Sequence, residues 1–522
     1  MTDVAIYDTT LRDGVQREGI SLACSDKLRI AIELDALGVS FIEAGWPGSN
    51  VKDAELFERA RDIEWRHATI AAFGATRRAR VAIEDDAQVA ALLASGATVC
   101  TIFGKTSPHH VQAILQTTLD ENLAMIEDTV RYLVAHGRRV IYDAEHFFDG
   151  AREDGGYALA TLFAAARGGA ETVVLCDTNG GTLPWDVEPR VASVVCALPV
   201  AIGIHAHDDS GCAVANTLAA VRAGARHVQG TLNGYGERCG NANLTTLIPN
   251  LQLKLGLRCI RGPLPELARV SRVAAEIANL AFDEHAPFVG RSAFAHKGGV
   301  HVAALERSPR AYEHVDPALV GNRTRIIVSE LAGRANVRAI AEAHDVVVGD
   351  ALAVLEAVKQ REARGFAFES AEASVALMLR RAQAGYVPPF TIADYKVLIT
   401  GELADATIKL RVGSELVHTA AEGNGPVSAL DAALRKALAT AYPAVAQIHL
   451  EDYKVRIVDG RAGTSATTRV LIDHGNGQDR WTTVGASPSI LEASLVALVD
   501  GIEHGLWLAG GQHARDDRLA AG

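Results

Sequence analysis

His205, Ala206 and His207 end an apolar run, residues 200–204, that reads as a buried strand. Side chains two apart on a strand share a face, so both imidazoles can grip one ion. Near the start of the chain a second apolar run, residues 4–7, leads into Asp8-Thr9-Thr10-Leu11-Arg12-Asp13-Gly14. Two imidazoles and a carboxylate suit a divalent ion with positions open for substrate. Asp13 is the expected carboxylate ligand. Asp8 falls inside the strand pattern and is expected to be structural. Asn241 closes the stretch Gly234-Tyr235-Gly236-Glu237-Arg238-Cys239-Gly240-Asn241 and can add an amide oxygen. That stretch reads either as a tight turn or as a row of backbone N–H groups for an anionic ligand. Arg12 can fix a carboxylate or polarise an oxyanion, or form an ion pair between strands. Glu145 can act as an acid or base, or close a salt bridge. A divalent ion beside an arginine suits a bidentate 2-oxo acid, whose ketone is polarised toward attack by a carbanion equivalent. Condensation and the reverse cleavage would use the same set.

Such groups need a frame that brings them together. Short apolar runs recur at residues 4–10, 41–46, 69–74, 98–104, 140–146, 172–178, 200–207 and 227–232, with helical patterns such as 26–37 and 122–135 between them. Eight strands alternating with helices is the count of a (β/α)8 TIM barrel. A doubly wound open sheet is the alternative, but no Gly-x-Gly-x-x-Gly follows the first strand. The polar residues favour the barrel. Arg12-Asp13, Glu43, Glu145-His146, Asp177-Thr178-Asn179, His205 and His207, and Asn233-Gly234 all stand at strand ends, where barrels carry their catalytic groups.

From about residue 262 to 386 the pattern changes to helices and loops, with one polar cluster, His296-Lys297-Gly298-Gly299-Val300-His301. Val387-Pro388-Pro389 marks a boundary, because paired prolines stop helices. The rest reads as a separate α+β domain with an internal repeat. Residues 426–434 resemble residues 487–495, 61 positions later. Each copy is expected to be a strand-strand-helix unit, suited to binding an effector or building a dimer. The expected domains are a catalytic barrel over 1–260, a helical linker completing the active site over 261–386, and a regulatory and dimerisation domain over 387–522.

With 522 residues and 48% hydrophobic content the chain can fill several cores. The net charge of -12 argues against nonspecific nucleic-acid binding. No apolar run reaches membrane-spanning length, and no secretory pattern precedes the first strand. Seven scattered cysteines without Cys-x-x-Cys spacing suit a reduced compartment, and a cytoplasmic location is expected.

Taken together, the chain resembles the 2-isopropylmalate synthase/homocitrate synthase/citramalate synthase group along nearly its whole length. The resemblance rests on residues 8–14 with Gln16, on His205-Ala206-His207, and on residues 233–241. It implies metal-dependent (β/α)8 enzymes that condense acetyl-CoA with a 2-oxo acid. It implies that Asp13, His205, His207 and Asn241 hold the metal, Mn2+ or Mg2+ ahead of Zn2+. It implies that Arg12, Gln16 and Thr178 bind the oxo acid, that Asn233, Gly234, Gly236 and Arg238 meet CoA, and that Glu145 is the acidic catalytic residue. His301 and Tyr312 match residues lent by a neighbouring subunit, which implies a homodimer with shared active sites. The C-terminal domain matches a leucine- or isoleucine-responsive module.

Within the group, residues 45–50, 72–78, 142–150, 295–301 and 420–426 match the bacterial branch that uses pyruvate, with isoleucine as effector. Phe73 and Phe103, at the ends of the third and fourth strands, are expected to narrow the acceptor pocket to a methyl group. The nearest alternative takes 2-oxoisovalerate. A related acyl-CoA lyase would lack the C-terminal domain, and an amino-acid-sensing protein would leave the polar strand ends unexplained. The chain departs from the group at Ala206 and Asp208, in place of Thr and Asn, and at residues 105–109, where the branch carries a tryptophan.

Overall fold

The computed structural model describes residues 3–327, 336, 341–342 and 351–520. The eight apolar runs become eight parallel strands: β1 (Ala5–Asp8), β2 (Phe41–Gly45), β3 (Thr69–Ala75), β4 (Val99–Lys105), β5 (Arg139–Glu145), β6 (Thr172–Asp177), β7 (Ala201–Ala206) and β8 (His227–Gly230). Each pairs with the next, and β1 pairs with β8 through Ala5 and His227, so the barrel closes. The strands are buried on both faces, as parallel strands under helices must be. Ile6, Ile42, Ala72, Cys100, Val140 and Val173 pack outward in a core shared with the surrounding helices. Their neighbours Tyr7, Phe41, Ala71, Val99, Ile141 and Val174 form a second cluster inside the barrel.

The inward face carries the site. Stepping two residues up each strand from that inner apolar layer gives Glu43, Phe73, Thr101 and then Phe103, Asp143 and then Glu145, and Cys176. On β7 and β8 the same parity gives His205, His207 and Gln229. The floor is apolar and the C-terminal mouth is polar because the side-chain period is two.

Connections hold the strands at their places. The helix Cys24–Leu37 ends on Gly38, whose φ of 87° is left-handed and whose N–H reaches Leu34 O at 3.1 Å. A Cβ there would meet Gly262 N at 2.1 Å, so only glycine fits. The helix Leu267–Ile277 buries Leu267, Val270 and Ala274 in the barrel's own core. The first compact unit accordingly spans residues 1–294 and 315–323, and the second takes 295–314 and 324–522.

In the second unit β9 (Ala295–His296) pairs with β10 (Arg325–Ile326), and the helices Gly299–Arg307, Ala351–Glu362 and Glu372–Arg381 follow the helical reading. The C-terminal repeat is present, with a correction. Each copy has three antiparallel strands before its helix, where two were expected. The first is β11 (Thr391–Thr400), β12 (Leu403–Val412), β13 (Glu415–Gly423) and the helix Pro426–Leu438. The second is β14 (His449–Ile457), β15 (Thr468–Gly475), β16 (Arg480–Ser487) and the helix Ile490–Ala520. The opening strands β11 and β14 are mostly exposed within one chain, although Ile392, Tyr395, Val397 and Tyr453 pack partly against the core. Ala406, Ile408 and Leu410 alternate toward Leu430, Ala433 and Leu434; Val470 and Ile472 meet Ala493 and Leu498. Arg381 reaches Asp500 at 2.8 Å and Glu503 at 2.6 Å. All seven cysteines are unpaired, and among the described residues no helix is long and apolar enough to cross a membrane.

Candidate active site

A cleft of about 220 Å³ opens at the C-terminal ends of the barrel strands. Asp13, His205 and His207 meet there, with ligand atoms all within 4.8 Å of one another. His205 Nε2 lies 3.3 Å from His207 Nε2 and 3.7 Å from Asp13 Oδ2. Burial alone would raise the Asp13 carboxyl, but Arg12, His205 and His207 outweigh it and hold its pKa at about 2. Burial, then the neighbouring His205, lowers His207 to about 4, so it is a neutral imidazole. Asn241 donates its amide N–H groups to Asp13 Oδ1 at 3.1 Å and Tyr235 O at 3.0 Å. Its Oδ1 is buried with no hydrogen-bond partner. A buried orphan carbonyl beside a carboxylate and two imidazoles is the donor set a divalent cation satisfies.

The glycine-rich stretch positions Asn241. Gly240 has φ 93°, and a Cβ there would meet Gly234 O at 1.9 Å. The loop folds on itself and is stitched to the end of β7, with Ala242 N donating to Ala206 O at 2.9 Å. Asp8 behaves as read from the strand pattern. Its carboxylate accepts from Thr10 N and Thr10 Oγ1, each at 2.9 Å, and burial lifts its pKa to about 7.

Arg12 is held from two sides. Its Nε donates to Glu43 Oε1 at 2.6 Å and its Nη1 to Asp13 Oδ2 at 3.1 Å. Fully buried Glu43 uses its other oxygen for the Tyr7 hydroxyl at 2.6 Å. Arg12 therefore forms the ion pair between strands, and it also lines the cleft. Glu145 also lines the cleft and ion-pairs with Lys105. Thr178 accepts from His146 N at 2.8 Å through its hydroxyl. Arg238 forks onto Asp209 at 2.7 and 3.0 Å and donates to Thr178 O at 2.8 Å.

Phe73 and Phe103 form one wall. Their rings stack with centroids 5.4 Å apart and planes 16° apart. Trp46 stands edge-on to both, at 5.6 and 5.7 Å, and its indole N–H donates to Gln88 Oε1 at 2.7 Å. Trp46, Asp143, Cys176 and Glu237 join the lining although sequence reasoning gave them no role. Asp143 and Cys176 share the inward parity of their strands, a signal that was available. Trp46 follows β2 directly and supplies indole surface on the side of the cleft formed by β2 and β3.

Gln16 also lines the cleft. Asn233 is occupied elsewhere: its amide reaches Ser271 O at 2.9 Å and accepts from Ser271 Oγ at 2.5 Å. Gly234 and Gly236 serve the loop's turns, with φ of 68° and 149°. Of the four residues expected at CoA, Arg238 alone is among those lining the cleft. His301 and Tyr312 lie in the second unit, where their rings stack with centroids 4.0 Å apart.

A closed parallel barrel with a carboxylate and two imidazoles at its mouth defines a metal-binding TIM-barrel enzyme. Residues 3–270 match the HMGL-like family, and the chain belongs to it. Residues 288–364 match the homocitrate synthase post-HMGL domain-like family, and residues 369–506 the LeuA allosteric (dimerisation) domain. The chain is 54% identical to the (R)-citramalate synthase of Synechocystis sp., with 97% of each chain covered. It is 48% identical to that of Geobacter sulfurreducens, covering 97% of this chain and 98% of the relative. The 2-isopropylmalate synthase of Methanocaldococcus jannaschii is 31% identical, covering 96% of this chain and 94% of the relative.

Proposed function

We propose that the protein condenses acetyl-CoA with pyruvate and water to give (R)-citramalate and CoA. The acetyl methyl loses a proton, a carbon–carbon bond forms to C2 of pyruvate, and the ketone oxygen becomes an alcohol by taking up a proton. Water then cleaves the thioester and CoA leaves. The similarity to (R)-citramalate synthases over the whole chain supports this reaction.

Asp13, His205, His207 and Asn241 would hold a divalent cation, Mn2+ or Mg2+ ahead of Zn2+. When bound, it supplies Lewis acidity toward the ketone and carboxylate of the acceptor. Arg12 anchors the acceptor's anionic end, because Glu43 and Asp13 fix its guanidinium before substrate arrives. Thr178 and Gln16 complete that end of the pocket. Glu145 handles a proton at the mouth, where its pairing with Lys105 keeps it placed. Arg238, with Asn233, Gly234 and Gly236 shaping the loop behind it, faces CoA.

The observation that carries the choice of acceptor is the stacked Phe73–Phe103 wall closed by Trp46. On this reading the wall holds the acceptor's side chain to a methyl group. Measuring CoA release with a panel of 2-oxo acids tests it. Pyruvate should be fastest, and a preference for 2-oxoisovalerate would move the reading to 2-isopropylmalate synthesis.

The working enzyme is a cytoplasmic homodimer. The match to a dimerisation domain supports the pairing. Each subunit lends His301 and Tyr312 to its partner's site, and isoleucine acts on the C-terminal domain. Catalysis belongs to residues 1–260, completion of the site to 261–386, and regulation to 387–522.

A further inference from the structure

We infer that Gln229 sets the tautomer and aim of His205, and that Asp143 in turn sets Gln229. The chain of contacts runs inside the barrel across β5, β8 and β7. It rests on the reading of His205 as a metal ligand, and makes Gln229 a positioning residue for that ligand.

The geometry is specific. Gln229 is fully buried, and its side-chain amide has no solvent to turn to. Its Nε2 donates to Asp143 Oδ1 at 2.9 Å and faces His227 Nε2 at 3.5 Å. Its Oε1 stands 2.8 Å from His205 Nδ1. A carboxamide has one donor end and one acceptor end. The donor end is taken by Asp143 Oδ1. The acceptor end is therefore left for His205, and a carbonyl oxygen cannot donate. Nδ1 of His205 must carry the hydrogen, which leaves Nε2 with its lone pair free. Nε2 is the atom turned toward His207 and Asp13. The inverted amide would turn its NH2 to His205 Nδ1, and the His205 proton would move to Nε2, inside the ligand set. Partners of this kind, one bond behind a ligand, fix ring orientation and tautomer.

The test pairs a structural readout with a binding one on the full-length protein. Solid-state 15N NMR of histidine-labelled, metal-free wild type, with the His205 signals identified by their loss in His205→Ala, reads the tautomer directly. Protonated Nδ1 is expected, and protonated Nε2 overturns the inference whatever the variants do. Titration with Mn2+ then compares Gln229→Met, which keeps the shape and removes both hydrogen-bonding ends, with Gln229→Glu, which keeps an oxygen for His205. Gln229→Met should weaken Mn2+ binding about ten- to a hundredfold, and Gln229→Glu should recover most of the loss. Wild-type affinity in a folded Gln229→Met overturns the inference. Failure of the wild type to bind Mn2+, Mg2+ or Zn2+ overturns the metal centre instead, and the tautomer still judges the positioning.

Discussion

The guanidinium carbon of Arg12 lies 3.7 Å from the centroid of the Phe73 ring. The group proposed to anchor the acceptor's carboxylate thus rests on the wall proposed to limit the acceptor's side chain. Anchor and gauge are one structure, and the two phenylalanines should differ on mutation.

Phe103→Ala removes wall without touching Arg12. It should shift preference from pyruvate toward 2-oxoisovalerate, since the overpacking that excludes two extra methyls costs about 1–3 kcal/mol, or about 5- to 150-fold in kcat/KM. Phe73→Ala should shift preference likewise and also lower kcat/KM for every acid, because Arg12 loses its ring. Kinetics across a 2-oxo acid panel separate the two. Equal losses for all acids in Phe103→Ala would remove the wall from the specificity argument.

His205→Ala and His207→Ala each delete a donor and should abolish turnover and metal retention while the melting temperature of the metal-free protein changes little. Asp8→Ala should do the reverse. It strips the partner from Thr10 N and Thr10 Oγ1, at about 1–3 kcal/mol for a buried group left unpaired. Metal content by elemental analysis and thermal melts decide the matter. An Asp8 variant of normal stability with lost metal would reassign that carboxylate.

Subunits should complement one another. Asp13→Ala and His301→Ala are each expected to be inactive. Mixed under subunit exchange, they form heterodimers in which one site has Asp13 from one chain and His301 from the other. Partial activity is the expected result, and none despite demonstrated exchange argues against shared sites.

Isoleucine should inhibit the full chain and leucine should not, since an effector works only by binding two states unequally. Removing residues 390–522 should abolish the response. It also strips Asp500 and Glu503 from Arg381 and Asp500 from Ser374, so the shortened chain should also melt at a lower temperature than the full one. Persistent isoleucine inhibition of the shortened chain would place the effector site elsewhere.

Asp143 gives a pH signature. Burial, then the nearby Glu43, lifts its pKa to about 8, against about 4 in an unfolded chain. The native state holds a proton that the unfolded state sheds. The stability this contributes is whole below about pH 4, falls as pH rises toward 8, and levels off beyond. Asp143→Asn removes the dependence. Thermal melts of the metal-free proteins should show the variant gaining on the wild type between about pH 4 and pH 8. A gap that stays constant across that range would contradict the shift.

The barrel was legible because its strands are continuous apolar runs ended by chemistry. His205 and His207 were visible as a pair on one strand face, and it was the carboxylate of Asp13 at another strand end that turned the pair toward a metal. Glu43 was visible as a polar strand end, but its grip on Arg12 and Tyr7 was not, because contacts across a barrel interior link residues far apart in sequence. Gln229 and Asp143 are 86 positions apart. Gln229 lies outside every stretch that carried the resemblance, and Asp143, inside residues 142–150, was given no role before the barrel closed. The strands β11 and β14 were missed although Tyr453-Lys454-Val455-Arg456-Ile457 alternates, because most of their residues stay exposed within one chain and no strand end carries chemistry.

The two C-terminal copies are alike in build and unlike in attachment. Arg381 grips Asp500 and Glu503 on the second copy's helix. At the matching positions, 61 residues earlier, stand Ala439 and Tyr442, which offer no carboxylate. The fastening of the preceding helix to the repeat is therefore one-sided, and losing the carboxylates of Asp500 and Glu503 would release Arg381 with no equivalent group in the first copy to take it up.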